Sequence, residues 1–245
     1  VLEKVYSLET ERIIWQYMEN EPRIQYIKME ENLGISGNSN RALQAAKGAY
    51  VALLDHDDVL TEDALYWVVD ALQRERYDVV YSDEDRMAEN GSHYLEPRFK
   101  PEFDIDLLRA YNYISHLFVA RRELMLADGG FHSQYDGAQG YDMILRCCEG
   151  NREICHIPRV LYHKRIHDGT SSEREAKHAQ ENLAGKEALE AHVAREHLLA
   201  RVMMTDQRSV YTVKYDTPGN PLVSMIITGH TNRSLMEQML EPFYE

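Results

Sequence analysis

The sequence predicts an α/β sandwich with a largely parallel or mixed sheet. Two short apolar runs, Tyr50–Leu54 and Asp78–Ser82, are bounded by turn or polar residues in the way buried strands are. Stretches with apolar side chains at helical spacing lie before, between and after them. Strand and helix signals therefore alternate along the chain, the order expected of an α/β layer structure. The 245 residues, 44% hydrophobic, suffice for one large domain or one domain with appendages.

In chain order, residues 7–20 place apolar side chains on one helical face, and Ile24 to Ile27 read as a short strand. Asn38 to Lys47 is expected to be helical and to stop at Gly48. The strand 50–54 follows, then the acidic turn Asp55-His56-Asp57-Asp58. Thr61 can cap a helix reaching about Arg74, with Leu65, Val68, Val69 and Leu72 on its apolar face. After strand 78–82, a polar loop with an Asn90-Gly91 turn runs through Arg98. A strand over 115–120, a short helix over 121–127, a break at Gly129-Gly130 and a helix over 138–149 come next. Strands 154–157 and 160–166 flank Pro158, and Glu173 to about His197 forms a long surface helix. Ser209 to Tyr215 and Leu222 to Thr228 are the last strands.

A net charge of −14 argues against nucleic acid, whose binders present a basic face. No apolar run approaches the roughly 20 residues of a membrane-spanning helix, and the acidic, amphipathic start does not resemble a signal peptide. A cytoplasmic protein is expected. Cys147, Cys148 and Cys155 lack the spacing of a zinc site and read as reduced core thiols.

Ligands of α/β sheets bind outside the carboxyl ends of strands, where Asp55, Asp57 and Asp58 stand. Two carboxylates two residues apart on a turn repel one another; a hard divalent cation relieves that repulsion and can bridge a diphosphate. The plain alternative is a solvated turn that caps the following helix.

Further motifs stand in order around this turn. They are Asn32-Leu33-Gly34-Ile35-Ser36-Gly37-Asn38-Ser39-Asn40; Ala46 through Asp58; Asp78-Val79-Val80-Tyr81-Ser82-Asp83-Glu84-Asp85; and Phe99-Lys100-Pro101. Gly137-Ala138-Gln139-Gly140-Tyr141-Asp142 with Leu145-Arg146, His156-Ile157-Pro158, Val160-Leu161-Tyr162-His163 and His167-Asp168-Gly169-Thr170-Ser171 complete the series. This ordered series resembles family 2 glycosyltransferases, and the likeness runs from about residue 24 to 200. It implies a GT-A-like nucleotide-binding sandwich with a mixed, mostly parallel central sheet, lacking the family's usual N-terminal strands.

The resemblance also implies roles. Asp55 and Asp57 would bind the donor and a Mn²⁺ or Mg²⁺ ion, with Asp58 supporting the turn and His56 a spacer facing away. His167 would be a third metal ligand, as in some relatives. Asp58, Asn38, Arg41 and Lys100 are candidate donor contacts, and Asp83 and Asp85 candidate acceptor contacts. The transfer would be inverting and needs a carboxylate base. Many relatives have an acid where this chain has Gly140, so Asp142, near a helix start, is the remaining candidate; Arg146 four residues on can simply pair with it. Partners would be a nucleoside-diphosphate sugar and a glycan or lipid-linked acceptor, at the inner face of a membrane.

Family members begin with an apolar strand that has no counterpart before residue 24, whereas Pro221-Leu222-Val223-Ser224-Met225-Ile226-Ile227-Thr228 is similar to it. The expected organisation is therefore a glycosyltransferase domain over 1–200 and a strand and linker over 201–220. Residues 221–245 would start a second such domain or complete the sheet, by packing on this chain or by self-association. A non-catalytic binding remnant is the alternative to an enzyme, and a metal-dependent nucleotidyltransferase or phosphatase a third.

Overall fold

The computed structural model describes residues 8–127, 129–166, 171–227 and 233–241. The chain forms two compact units, Val1–Tyr215 and Asp216–Glu245.

The first unit opens with α1 (Leu8–Asn20) and α2 (Gly34–Ala45), then β1 (Tyr50–Leu53), β2 (Val59–Leu60) and α3 (Ala64–Arg74). A hairpin of β3 (Val79–Met87) and β4 (Tyr94–Arg98) follows, then α4 (Ile105–Ala110), β5 (Phe118–Arg121) and α5 (Arg122–Ala127). It closes with α6 (Gln139–Cys147), β6 (Ile154–Arg165), α7 (Ser171–Arg195), β7 (Ala200–Met204) and β8 (Tyr211–Tyr215). The main sheet has the order β1-β5-β3-β6-β2 with β4 beside β3, while β7 and β8 pair separately.

The sheet is mixed, as expected of an α/β sandwich, but parallel pairing is the minority: among the described residues only β3 and β6 pair in parallel. Strands β1 and β3 share a direction. Between them runs β5, antiparallel to both, because its chain enters beside Tyr81 and leaves beside Val79.

Period-two alternation divides the core between the two faces of this sheet. Val79, Tyr81, Phe118 and Ala120 pack with Leu43, Met125, Ile144 and Leu189 on one side. Val80, Leu117, Val119, Ile157 and Leu161 pack with Ala64, Val68 and Ala71 of α3 on the other. Because β1 pairs only with β5 among the described residues, it is an edge, half-buried rather than buried as its apolar run suggested. Likewise α3 buries Ala64, Val68 and Ala71, while Leu65 and Val69, expected on the core face, stand 63% and 50% exposed.

Other expectations shift for identifiable reasons. Ile24–Ile27, expected as a strand, forms no regular element and pairs with none of the described strands. The polar loop 83–98 is instead the end of β3 plus β4, and Asn90-Gly91 is the hairpin turn. Every β4 residue is exposed, so no alternation betrayed it. The two strands around Pro158 are one strand, β6, whose register against β3 shifts after Ser82. A proline, lacking an N–H, is tolerated at such an irregularity. Helix α4 was missed although Asp104 caps it, accepting from Asp106 N (2.8 Å) and Leu107 N (3.0 Å).

In the second unit, residues 216–227 form no regular element, and α8 (Arg233–Leu240) follows. The strand expected over 222–228 is not formed across its described part. Leu222, Val223 and Ile226 are 97%, 79% and 89% exposed.

Candidate functional site

A cavity of about 500 Å³ opens at the carboxyl end of β1. Its wall comes from Ile35 and Ser39 of α2, Leu53 through Asp57, Ser115 and His116 before β5, and Gln139 and Gly140 of α6. Asp55 and Asp57 thus share one cavity, as their spacing suggested. His56 lines it too, with its Nδ1 3.7 Å from Asp57 Oδ1, rather than facing away.

The turn is braced from β6. Asp58 N donates to Asp55 O (3.2 Å), closing the loop. Both Asp58 carboxylate oxygens are used by the protein: Tyr162 Oη donates to Oδ2 (2.6 Å) and Arg165 N to Oδ1 (2.8 Å). Tyr162 Oη also accepts from Asp55 N (3.2 Å), and Arg165 Nε donates to Asp57 O (2.7 Å). Burial, then the Asp58 carboxylate, push the Tyr162 hydroxyl's pKa up, so it stays a donor. Asp58, expected among the donor contacts, is therefore occupied in holding the turn, its other expected role.

Behind the turn lies a buried ion cluster that the sequence reading did not single out. Glu84, 5% exposed, accepts from His116 N (2.7 Å) and faces His116 Nδ1 (3.3 Å). Burial would raise its pKa, but the His116 hydrogen bond and the Lys100 charge outweigh that and hold it low. Lys100 Nζ donates to Ile114 O (3.0 Å) and to His116 O. Burial pulls its pKa down to about 8 against the opposing pull of Glu84 and Asp83. Lys100, expected at the donor, fastens the 114–116 loop instead.

Several other expected residues are not on the cavity wall. Asp142 has no exposed surface; Arg146 donates to its Oδ2 through Nη2 (2.7 Å) and Nε (3.1 Å), and His132 Nδ1 lies 3.3 Å away. The first turn of α6 instead presents Gln139 and Gly140 to the cavity. Asp83 is buried, accepting from Lys100 N (2.8 Å) and facing His156 Nε2 (2.8 Å); Asp85 is buried against His163 Nδ1 (2.6 Å). Neither is presented to an acceptor in this cavity.

The positions on α2 follow helix geometry: Ile35 and Ser39, four apart, face the cavity, whereas Asn38 and Arg41 lie one and two steps of 100° away. Arg41 lines a separate groove with Ile27 and Glu31 and bonds Gln44, while Asn38 bonds Asn32. His167 lies outside the described residues.

Among the described residues, no group of three or more His, Cys, Asp or Glu is arranged to hold a metal. Asp55, with a side chain 63% exposed, and Asp57 nevertheless offer hard oxygen donors on one cavity wall. That donor set fits a magnesium-type ion, which is usually held by one or two carboxylates together with substrate phosphates.

Comparison with known proteins bears on the fold and the family. The profile of Glycosyl transferase family 2 matches residues 7–126. The chain is 37% identical over 237 residues to the uncharacterized protein y4gI of Sinorhizobium fredii, covering 95% of this chain and 26% of that protein. It is 34% identical to the O-antigen biosynthesis protein RfbC of Myxococcus xanthus, covering 94% of this chain and 18% of RfbC. It thus spans about a quarter or less of these relatives. Residues 1–349 of S. aureus TarS, in a crystal structure with UDP-GlcNAc, superpose with a TM-score of 0.55 at 19% identity, over 73% of this chain and 54% of that one. At that identity the likeness establishes the GT-A fold.

Proposed function

We propose that this chain is a family 2 glycosyltransferase, the family whose profile matches residues 7–126, and that it transfers a sugar from a nucleoside-diphosphate donor to a growing glycan or lipid-linked acceptor. The observation that carries the reading is the pair Asp55 and Asp57 on one cavity at a strand's carboxyl end, on a turn braced by Asp58. The bound UDP-GlcNAc of the TarS complex supports a nucleotide-sugar donor, and the role in RfbC's name supports a surface-polysaccharide product. Asp55 and Asp57 would hold Mn²⁺ or Mg²⁺, which supplies charge neutralisation for the departing diphosphate. Gln139, at the start of α6, would contact the substrate from the opposite wall. The reaction would be inverting and would take place in the cytoplasm, at the inner face of a membrane; no helix among the described residues is long and apolar enough to cross one.

One observation favours a second reading, nucleotide or glycan binding without transfer. The α6 turn on the cavity carries Gly140, and Asp142 is buried against Arg146, so α6 presents no carboxylate to take a proton from the acceptor. Calorimetric titration of the full chain with UDP, GDP and dTDP, with and without Mn²⁺, tests what the two readings share. Nucleotide binding is expected to require Mn²⁺ and to disappear in Asp57→Ala; metal-independent binding would refute the site. Hydrolysis or transfer of a bound nucleotide sugar then separates the enzyme from the binding remnant.

A further inference from the structure

We propose that His116 is a positioning residue for the donor turn: through its ring, the buried Glu84 carboxylate and the Lys100 ammonium together set the orientation of the Asp55 carboxylate. The inference rests on the donor-site reading above. The imidazole is fixed on three sides. Its Nδ1 faces Glu84 Oε2 at 3.3 Å, its own backbone N–H donates to the same oxygen at 2.7 Å, and its face stacks on Tyr162 at 4.7 Å and 20°. Lys100 Nζ, donating to the carbonyls of Ile114 and His116, holds the segment from beneath.

The remaining ring edge, Nε2, lies 3.7 Å from Asp55 Oδ2 on the cavity wall. Asp55 is thereby held twice, by Tyr162 Oη on its backbone N–H and by His116 beside its carboxylate, and the two holding groups are stacked on each other. The arrangement gives a reason for burying a lysine and a glutamate behind a strand end. They make a rigid backing for one carboxylate that is itself 63% exposed and would otherwise rotate freely. Groups that orient a ligand-binding carboxylate in this way affect affinity without touching the ligand.

The test uses the full chain, with His116→Asn, which is too short to reach Asp55, and His116→Gln, which is long enough to do so. Without ligand, long-range ¹H–¹⁵N spectra of the His116 ring in the parent and in Asp55→Asn should differ at Nε2; identical ring resonances would overturn the contact. In titrations of UDP with Mn²⁺, His116→Asn should weaken binding about 10-fold, and His116→Gln, which loses the same ring stacking, should recover most of it. Equal binding by parent and His116→Asn, or a loss that follows a fall in Tm in both variants, would overturn the positioning role. If the parent binds no UDP, GDP or dTDP while the ring still responds to Asp55→Asn, the donor-site reading falls and the contact stands.

Discussion

Tyr162→Phe probes the brace of the acidic turn with little change in shape. The Tyr162 ring is fully buried and would stay stacked on His116; only the hydroxyl is lost. That hydroxyl makes two bonds, 2.6 Å to Asp58 Oδ2 and 3.2 Å from Asp55 N. Hydrogen bonds to charged groups contribute about 1.5–3 kcal/mol. Asp58 would keep its bond from Arg165 N, so its carboxylate is not orphaned and a loss near the lower part of that range, about 2 kcal/mol, is expected. For a chain of this size each kcal/mol moves Tm by roughly 2–4 °C, so calorimetry should record a fall of about 4–8 °C. Mn²⁺-dependent nucleotide binding should weaken as well, because Asp55 and Asp58 lose a common anchor. A Tm within 1 °C of the parent, with unchanged binding, would refute the view that β6 holds the turn.

Three further outcomes follow from the same geometry. In Lys100→Met, the stability difference from the parent should depend on pH. The folded-state pKa of about 8 lies below the ordinary 10.5, so the penalty of burying the charge is complete below pH 8 and is relieved as pH rises toward 10.5. Parent minus variant should therefore increase across that window by up to about 3 kcal/mol in urea unfolding, at about 1.4 kcal/mol per unit; a flat difference would count against a buried ammonium. Asp142→Asn should cost about 1.5–3 kcal/mol by weakening the buried pair with Arg146, yet leave nucleotide affinity unchanged, and a selective loss of affinity would restore Asp142 to the site. Gly140→Asp should fold normally, since a Cβ there meets nothing within 4 Å, and should raise donor turnover measured as nucleotide release; a marked drop in Tm would show the position is not open.

The strand runs and the acidic turn were legible in the sequence because local pattern determines them. Val79 to Ser82 enter the sheet whatever their partners, and Asp55 and Asp57 follow β1 directly. Glu84, Lys100 and His116 were harder to read. Asp83-Glu84-Asp85 reads as a run of loop carboxylates although all three are buried, and the burial of the middle one depends on pairing with a histidine 32 residues later. Asn38 and Arg41 were misplaced by rotation, since once α2 begins at Gly34 the face bearing Ile35 and Ser39 is fixed. The exposed strand β4 and the burial of Asp142 show the same limit, because patterns of charge do not say which charges are covered; the pairing of Asp142 with Arg146 was legible in their four-residue spacing.

The dependence of the turn on β6 has a consequence for how the protein is made. Asp58 is tied to Tyr162 and Arg165, 104 and 107 residues further along. Such long loops close late, after local helices have formed. During synthesis the two carboxylates therefore emerge early, and their turn lacks its brace until Arg165 has cleared the ribosome. A braced acidic turn therefore requires β6 to have paired beside β3.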